Sequence, residues 1–578
     1  MCGIFGYTGF KKEELEKARR SLNTLSHRGP DQWGDWYDDN IYIGHRRLSI
    51  IDLSENAKQP MEDHDIVIAV NGEIYNFKEL RKELEAKYKF RSLSDSEVLL
   101  HGYKEWGIDE LLTKIDGMFA FCIYDRGKKN LYLVRDRVGI KPLYYSEING
   151  CFAWSSELKA LEKLYHKSIL ELDKTASYDF LTYLYIPTPK TYYKNVYKLE
   201  PAHYLEINLH SYTAKKVCYW QLKPQKKSIS LQEAAISLRT LINKSVKEQL
   251  VSDVPIGFFL SGGIDSSIVV AEATKFTENV HTFTIGFGQN KCDEFEYAEL
   301  IAKHFNTNHK QKLLDHSYVL NNLNRLKEWY DEPFADTSAF PTFLVSKFSR
   351  ESSKVVLTGD GGDEVFGGYN WYFKFSKLQE NQFPVLKLLK PPVSALKGRF
   401  RNLLIGKKAN RLENYLLCDD LVLYTKLMGG MLKEEKIHYS KAWEIPKDYD
   451  DYWYFRKYYR INLPILTRLQ FLDFHTYLHD DILTKVDRVS MAVSLEARVP
   501  LLSKEIIEFA FSIPYKLIFH GNTLKGLLKF AYKDILPDII LNRGKRGFSI
   551  PHLNRVFHER FGLSKQESIL NKLYQECF

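Results

Sequence analysis

Cysteine is scarce in this chain: seven in 578 residues (Cys2, Cys122, Cys151, Cys218, Cys292, Cys418 and Cys577). No two form a Cys-x-x-Cys pair, which argues against a zinc site and against a disulfide framework, and suits a reducing compartment. No apolar run approaches the roughly 18 residues of a membrane span. The first residues lack a basic segment followed by an apolar core, so no secretory leader is expected and the cytoplasm is the expected location. Internal repeats and low-complexity tracts are missing too. The formal charge of +9 is small for this length. Part of it lies between Asn381 and Arg411, a stretch with eight Lys and Arg and no acid. Only Phe383 and Phe400 interrupt it, too few aromatics for a single-strand nucleic-acid platform, so it reads as a solvated surface segment.

What is present is an ordinary globular composition, 44% hydrophobic and 27% charged, in a chain long enough for two or more cores. The first two hundred residues alternate short strand-like runs (Ile41–Gly44, Ile66–Val70, Met118–Tyr124, Leu131–Val134) with turn residues such as Asn71-Gly72 and Asp125-Arg126-Gly127. Helices are expected over Lys12–Leu25 and Asn76–Tyr88. This pattern predicts an α+β domain of stacked antiparallel sheets with helices outside, over residues 2–215. Residues 216–230 read as a linker, and Ser230-Leu231-Gln232-Glu233 as a capping box opening a helix. From residue 231 to 578, strands at Ile256–Leu260, His281–Phe287 and Val355–Leu357 alternate with helices from Ser266 and near Glu294–His304. That alternation predicts an α/β domain on a parallel sheet, mostly helical after about residue 370.

Two features carry chemistry. Cys2 follows Met1, so removal of Met1 leaves a nucleophilic thiol and a free α-amine on one residue. Their reference pKa values, about 8.5 and about 7.7–8.0, make proton transfer between them nearly thermoneutral. Ser261-Gly262-Gly263-Ile264-Asp265-Ser266-Ser267 lies between a strand and a helix start. There, glycine backbone, hydroxyls and the helix N-terminus suit a phosphate chain, with Asp265 placed to hold magnesium. It lacks the Gly-Lys-Ser/Thr ending of a Walker loop.

The Ser261–Ser267 string resembles the pyrophosphate loop of the ATP pyrophosphatases. With Cys2 it is similar, over about residues 2 to 555, to glutamine-hydrolysing asparagine synthetases of the AsnB type. The resemblance implies an N-terminal-nucleophile glutaminase domain followed by an ATP-pyrophosphatase synthetase domain, with ATP and Mg2+ required. Cys2 would form a glutamyl thioester. Arg47-Leu48-Ser49-Ile50-Ile51-Asp52 matches the RLSIxD string, whose arginine grips the glutamine α-carboxylate, a planar partner suited to a guanidinium. Asn71-Gly72-Glu73-Ile74-Tyr75-Asn76 matches NGEIYN, with Asn71 and Gly72 as oxyanion donors and Glu73 holding substrate; Asp95 would bind the α-ammonium. Asn71-Gly72 alone is equally a hairpin turn. His27-Arg28-Gly29-Pro30-Asp31 is read as a loop near this pocket without a chemical role.

In the second domain the resemblance places ATP on Leu260, Ser261, Gly262, Gly263, Asp265, Ser266, Ser267, Ile285, Thr358, Gly359 and Lys525, with metal on Asp265 and Asp363. Asp360 stands where some members carry the glutamate tied to acyl-adenylate formation. Asp336–Thr342 resembles DPSAIPT near the acceptor pocket, with Thr337 replacing proline. His479–Pro500 is the longest close match; its helical apolar spacing predicts core packing, with Asp487, Arg488, Glu496 and Arg498 in structural ion pairs. The expected reaction is ATP-dependent amidation of L-aspartate with ammonia from glutamine. Amidation of another carboxylate, such as a uronic acid, is the alternative, and a silent interaction protein the third reading. Partners are expected to be small molecules rather than nucleic acid, with a homodimer as the family's usual assembly.

Overall fold

The computed structural model describes residues 2–165, 169–224, 227–286, 294–313, 325–380 and 419–544. The basic stretch 381–411, Phe287 and the segment Lys545–Phe548 lie outside the described residues.

Twelve strands are described in the first part, in chain order: β1 Gly3–Thr8, β2 Gln32–Tyr37, β3 Ile41–Arg47, β4 Met61–Asp63, β5 Ile66–Ile74, β6 Gly117–Asp125, β7 Asn130–Arg135, β8 Tyr144–Ile148, β9 Cys151–Ser155, β10 Val196–Lys198, β11 His203–Asn208 and β12 Thr213–Cys218. They form two antiparallel sheets, ordered β10-β8-β9-β1-β3-β2 and β12-β11-β7-β6-β5-β4. Side-chain alternation decides the layering. On β5, Val67 and Ala69 face Ile4, Ile43 and Trp154 of the other sheet. Ile68 and Val70 face the helices Phe77–Leu84 and Glu97–Lys114. On β1, Phe5 and Tyr7 pack outward with Leu22 of the helix Leu15–Asn23 and Leu161 of Leu158–Leu164. Helices therefore cover both outer faces, and the strands are apolar on both sides although antiparallel.

Two boundaries differ from the sequence reading. Asn71-Gly72 is not a turn: β5 continues through it to Ile74, paired with β6 as far as Ile74↔Gly117. Glycine on both strands permits the approach, since a Cβ on Gly72 would sit 2.1 Å from the Met118 carbonyl oxygen and one on Gly117 2.1 Å from that of Glu73. The expected end of the first domain at residue 215 falls within β12, whose pairing with β11 holds Thr213 to Cys218 in the sheet.

Ser230 caps the helix Leu231–Gln249: its hydroxyl accepts from the Glu233 N–H, and Glu233 returns to the Ser230 N–H. Five parallel strands follow: β13 Ile256–Phe259, β14 His281–Gly286, β15 Asn308–Leu313, β16 Val355–Leu357 and β17 Glu496–Arg498, ordered β15-β14-β13-β16-β17. The strand β17 lies in the string read as helical; its helical part ends with Met491, and Glu496–Arg498 instead pairs with β16. The chain leaves β13 for β14 on one side and reaches β16 on the other, so a crevice opens between β13 and β16 at the topological switch point.

Asp487, Arg488, Glu496 and Arg498 do make ion pairs, and these join the two parts of the chain. Arg28 donates to both Asp487 oxygens, at 2.8 and 3.1 Å. Lys141 lies 3.4 Å from Asp487, Arg488 3.5 Å from Glu157, and Arg498 3.7 Å from Glu73. Leu48, Ile50, Met118, Val138 and Ile140 share one core with Leu260, Leu357 and Leu502.

Candidate active sites

Cys2 immediately precedes β1, a central strand, and is buried. Its N–H donates to Asn71 Oδ1 at 3.1 Å, and its carbonyl accepts from Arg28 Nε at 3.0 Å. The N-terminal nucleophile candidate is thus pinned between both sheets. Burial raises the thiol above its ordinary pKa. Asn71 Nδ2 is buried with no hydrogen-bond partner among the described residues. A buried unpaired donor is costly unless a ligand satisfies it.

The other glutamine-site candidates lie in two loops around this point. Arg47 ends β3; one terminal nitrogen donates to Gln32 Oε1 (2.7 Å) and the other to the Ile51 (3.1 Å) and Asp52 (2.5 Å) carbonyls. Its guanidinium shapes the Leu48–Asp52 turn from within. The Ser49 N–H donates to Asp31 (2.8 Å), so Asp31 and Arg28 of the His27–Asp31 string are structural clamps. Asp95 accepts from the Ile74 N–H at 2.8 Å and from the Ser94 and Ser96 hydroxyls. Burial raises Asp95. Burial, then Glu496 and Asp95, hold Glu73 well above the ordinary carboxylate range. Glu73, Asp95 and Glu496 form a buried carboxylate cluster beside Arg498, a setting in which an added cation would be favourable.

The second site fills the crevice between β13 and β16, a cavity of about 470 Å3. Leu260, Ser261, Gly263, Asp265, Ser266, Ile285, Thr358, Gly359, Asp360 and Asp363 line it, as the sequence reading grouped them. Gly262, Ser267 and Lys525 stand behind the wall. Gly262 has φ +65°, and a Cβ there would meet Tyr297 backbone at 2.5 Å, so glycine is required for this turn. Ser261 and Ser266 hydroxyls are 3.2 Å apart, and the Gly263 N–H donates to Ser261 Oγ at the start of the helix Ile264–Ala273. The two glycine-rich loops touch, since a Cβ on Gly359 would lie 2.7 Å from the Ser266 nitrogen.

Lys525 sits in left-handed backbone before the helix Gly526–Ala531, not on a solvated helix face. Its ammonium is buried, paired with Asp265 and, at 2.5 Å, with Asp363. Burial opposes its charge, but the two carboxylates raise its pKa overall. A Cβ on Gly362 would lie 2.7 Å from the Asp265 carboxylate, and one on Gly368 1.8 Å from Asp363 Oδ1. Among the described residues no cluster of three or more His, Cys, Asp or Glu side chains could hold a metal, so Asp265 and Asp363 suit magnesium only alongside oxygen donors that a phosphate ligand brings.

The opposite end of the cavity was less legible in sequence. Asp336, Thr337, Ser338 and Thr342 line it, as the acceptor-pocket string implied. Glu364 lines it as well, one with Asp360 and Asp363 of three close carboxylates that the sequence sets on the glycine-rich loop Thr358–Tyr369 and that suit magnesium, pyrophosphate or a reacting carboxylate. Lys485 drew no role of its own, and Trp371 and Tyr477 were missed. Lys485 Nζ lies 3.0 Å from Asp336 Oδ2. Although burial opposes ionisation, Lys485 and Ser338 bring Asp336 down to about 2. Burial and then Asp363 raise Glu364 to about 8, with the Tyr369 hydroxyl donating to it. Helical spacing was the visible signal for the segment around Lys485, and it concealed that Ile482 and Lys485 line the cavity. Arg543, also missed, donates to the Ser261 carbonyl (3.0 Å) and to Glu294 (2.6 Å).

Stacked antiparallel sheets carrying a near-terminal thiol, joined to a parallel sheet with glycine-rich loops at its switch point, define a class of two-site proteins: an N-terminal-nucleophile domain coupled to a nucleotide-type α/β domain. The family model described as Asparagine synthase matches residues 237–570, and that of the Glutamine amidotransferase domain matches residues 1–220. Asparagine synthetase (glutamine-hydrolyzing) 1 of Bacillus subtilis strain 168 is 35% identical across 95% of this chain and 87% of its own length. A putative asparagine synthetase (glutamine-hydrolyzing) 2 of Methanocaldococcus jannaschii is 35% identical across 85% of this chain and 98% of its own. Asparagine synthetase (glutamine-hydrolyzing) 3 of Bacillus subtilis is 31% identical across 96% and 87%. The chain belongs to the asparagine synthase family. Among the described residues, no helix is long and apolar enough to cross a membrane.

Proposed function

We propose that the protein is a glutamine-dependent asparagine synthetase, with the part through β12 as glutaminase and the part from Leu231 as ligase. The observation that carries the first half is the Cys2–Asn71 contact with Asn71 Nδ2 left unpartnered. Cys2 Sγ attacks the glutamine amide carbon after its proton passes to the α-amine freed by loss of Met1. Asn71 Nδ2 and the Gly72 N–H receive the oxyanion, the Cys2 α-ammonium returns its proton to the leaving nitrogen so that ammonia departs, and water hydrolyses the thioester to glutamate and the free Cys2 thiol. Arg47 and the Leu48–Ile51 backbone hold the α-carboxylate, and Glu73 with Asp95 the α-ammonium, whose positive charge would favour ionisation of these buried carboxyl groups.

At the second site Ser261–Ser267, Thr358–Gly359, Leu260 and Ile285 hold ATP, and Lys525 offsets phosphate charge. Magnesium on Asp265 and Asp363 would supply further phosphate neutralisation. The acceptor carboxylate attacks the α-phosphorus and pyrophosphate leaves; ammonia then displaces AMP from the acyl group beside Asp360. L-Aspartate is the proposed acceptor, because Asp336 and Lys485 present opposite charges on the cavity wall, matching an amino acid that bears an ammonium and a carboxylate. A carboxylated sugar is the second reading. It is favoured by the stacked Tyr369–Trp371 wall (centroids 3.9 Å apart, 11° between planes), a surface suited to a sugar ring.

Glutamine labelled with nitrogen-15 at the amide tests both halves. Wild-type protein with ATP and aspartate is expected to give labelled asparagine and AMP. Cys2→Ala is expected to give neither from glutamine but both from free ammonia. Absence of aspartate-dependent pyrophosphate release from wild-type protein would refute aspartate as acceptor, and the same measurement with uronic acids then decides the second reading.

A further inference from the structure

The turn that holds the proposed glutamine carboxylate is not anchored only within its own domain. Asp253 lies in the loop between the helix Leu231–Gln249 and β13, eight residues before the pyrophosphate loop begins at Ser261. Its N–H donates to the Ile50 carbonyl at 2.9 Å, and its Oδ2 accepts from the Asp52 N–H at 2.7 Å. One residue of the second domain thus grips the Ile50–Asp52 backbone from both sides.

Asp52 is the junction of this turn. Its backbone is left-handed, with φ 58°, a conformation that a non-glycine residue keeps only when neighbours hold it. Its Oδ1 accepts from the Ser54 N–H (2.9 Å) and hydroxyl (2.6 Å). Its Oδ2 accepts from the Leu93 N–H (2.7 Å), at the start of the Leu93–Ser96 turn that carries Asp95. Its carbonyl, with that of Ile51, receives the Arg47 guanidinium. The residue that Asp253 clasps therefore ties together Arg47, proposed for the α-carboxylate, and Asp95, proposed for the α-ammonium.

We propose that Asp253 is a positioning residue for glutamine: the second domain completes the first domain's substrate site by clamping the Arg47 and Asp95 loops at Asp52. The inference rests on the glutaminase reading above. Asp253 is itself exposed and touches no reacting atom, so its effect is on the geometry of binding. Losing one such hydrogen bond at an exposed site corresponds to roughly a 3- to 10-fold change in an equilibrium.

The test is steady-state kinetics on the full chain for Asp253→Ala and Asp253→Asn. The alanine variant removes the acceptor, whereas asparagine retains an oxygen that can receive the Asp52 N–H. Asp253→Ala is expected to raise KM for glutamine about 3- to 10-fold while the ammonia-dependent rate stays within about twofold of wild type. Asp253→Asn is expected to restore most of the glutamine KM. An unchanged glutamine KM in Asp253→Ala would overturn the inference. So would an equal fall in the ammonia-dependent rate that asparagine does not restore, since that marks general loss of structure. A wild-type protein that releases no glutamate from glutamine would instead refute the glutaminase reading.

Discussion

Replacing Arg28 by methionine removes a fully buried tie between the two domains. Arg28 is 0% exposed and its three guanidinium nitrogens are all used: Nε on the Cys2 carbonyl, Nη1 on Glu157 and Asp487, Nη2 on Asp487. Removing one partner of a buried pair costs about 3–5 kcal/mol, because the stranded charge stays desolvated. Here both stranded carboxylates keep other cations. Asp487 retains Lys141 at 3.4 Å, and Glu157 retains Lys159 at 2.9 Å and Arg488 at 3.5 Å. The lower end, about 3 kcal/mol, is therefore expected. Against a typical total of about 5–15 kcal/mol, such a variant still folds but with a loosened interface. Urea unfolding should show an earlier midpoint for Arg28→Met. The triple variant Arg28→Met, Asp487→Leu, Lys141→Met should recover much of the loss, since removing Asp487 without Lys141 would strand a buried ammonium. Glutaminase activity should fall with the single variant because the Cys2 carbonyl loses its donor. A single variant within about 0.5 kcal/mol of wild type, or a triple variant worse than the single, would refute the electrostatic reasoning.

Asn71→Ala should lower the glutaminase kcat by roughly 10²–10³-fold, as for removal of one oxyanion donor, and leave ammonia-dependent synthesis intact. Equal loss in both assays would contradict the role of Nδ2. Asp473, deep in the second domain, is raised by burial to about 7 while the Tyr372 and Tyr424 hydroxyls donate to it. A carboxyl whose folded pKa lies above its unfolded value adds stability at low pH that is lost as pH rises from about 4 through 7. Asp473→Asn should therefore flatten the fall of Tm between pH 5 and pH 8; an unchanged slope would exclude Asp473 as its source.

Much of this architecture was legible because it follows from local rules. The capping box at Ser230, the apolar run Ile66–Val70 and the left-handed glycine turn at Gly262 are each written in a string of a few residues. Asn71-Gly72 was misread for a physical reason. Its local signature is that of a hairpin, but β6 lies close enough to keep it in the sheet. Lys485 was opaque in sequence, since a lysine takes its meaning from the carboxylates that surround it, and Lys525 was named only through the family resemblance.

The sequence by itself determined which groups are available: one thiol beside the start of the chain, two glycine-rich loops after strands, and the carboxylates between them. Local propensity and side-chain periodicity are sufficient for that. Only the tertiary structure decided how they are joined. It placed the two loops on either side of the β13–β16 crevice, set the Asn71 amide against Cys2, and brought Asp253 onto the Ile50–Asp52 turn. Those arrangements join residues as much as 201 positions apart in the case of Asp52 and Asp253. Contacts of that separation are selected by packing of the whole chain, not by any short stretch of it.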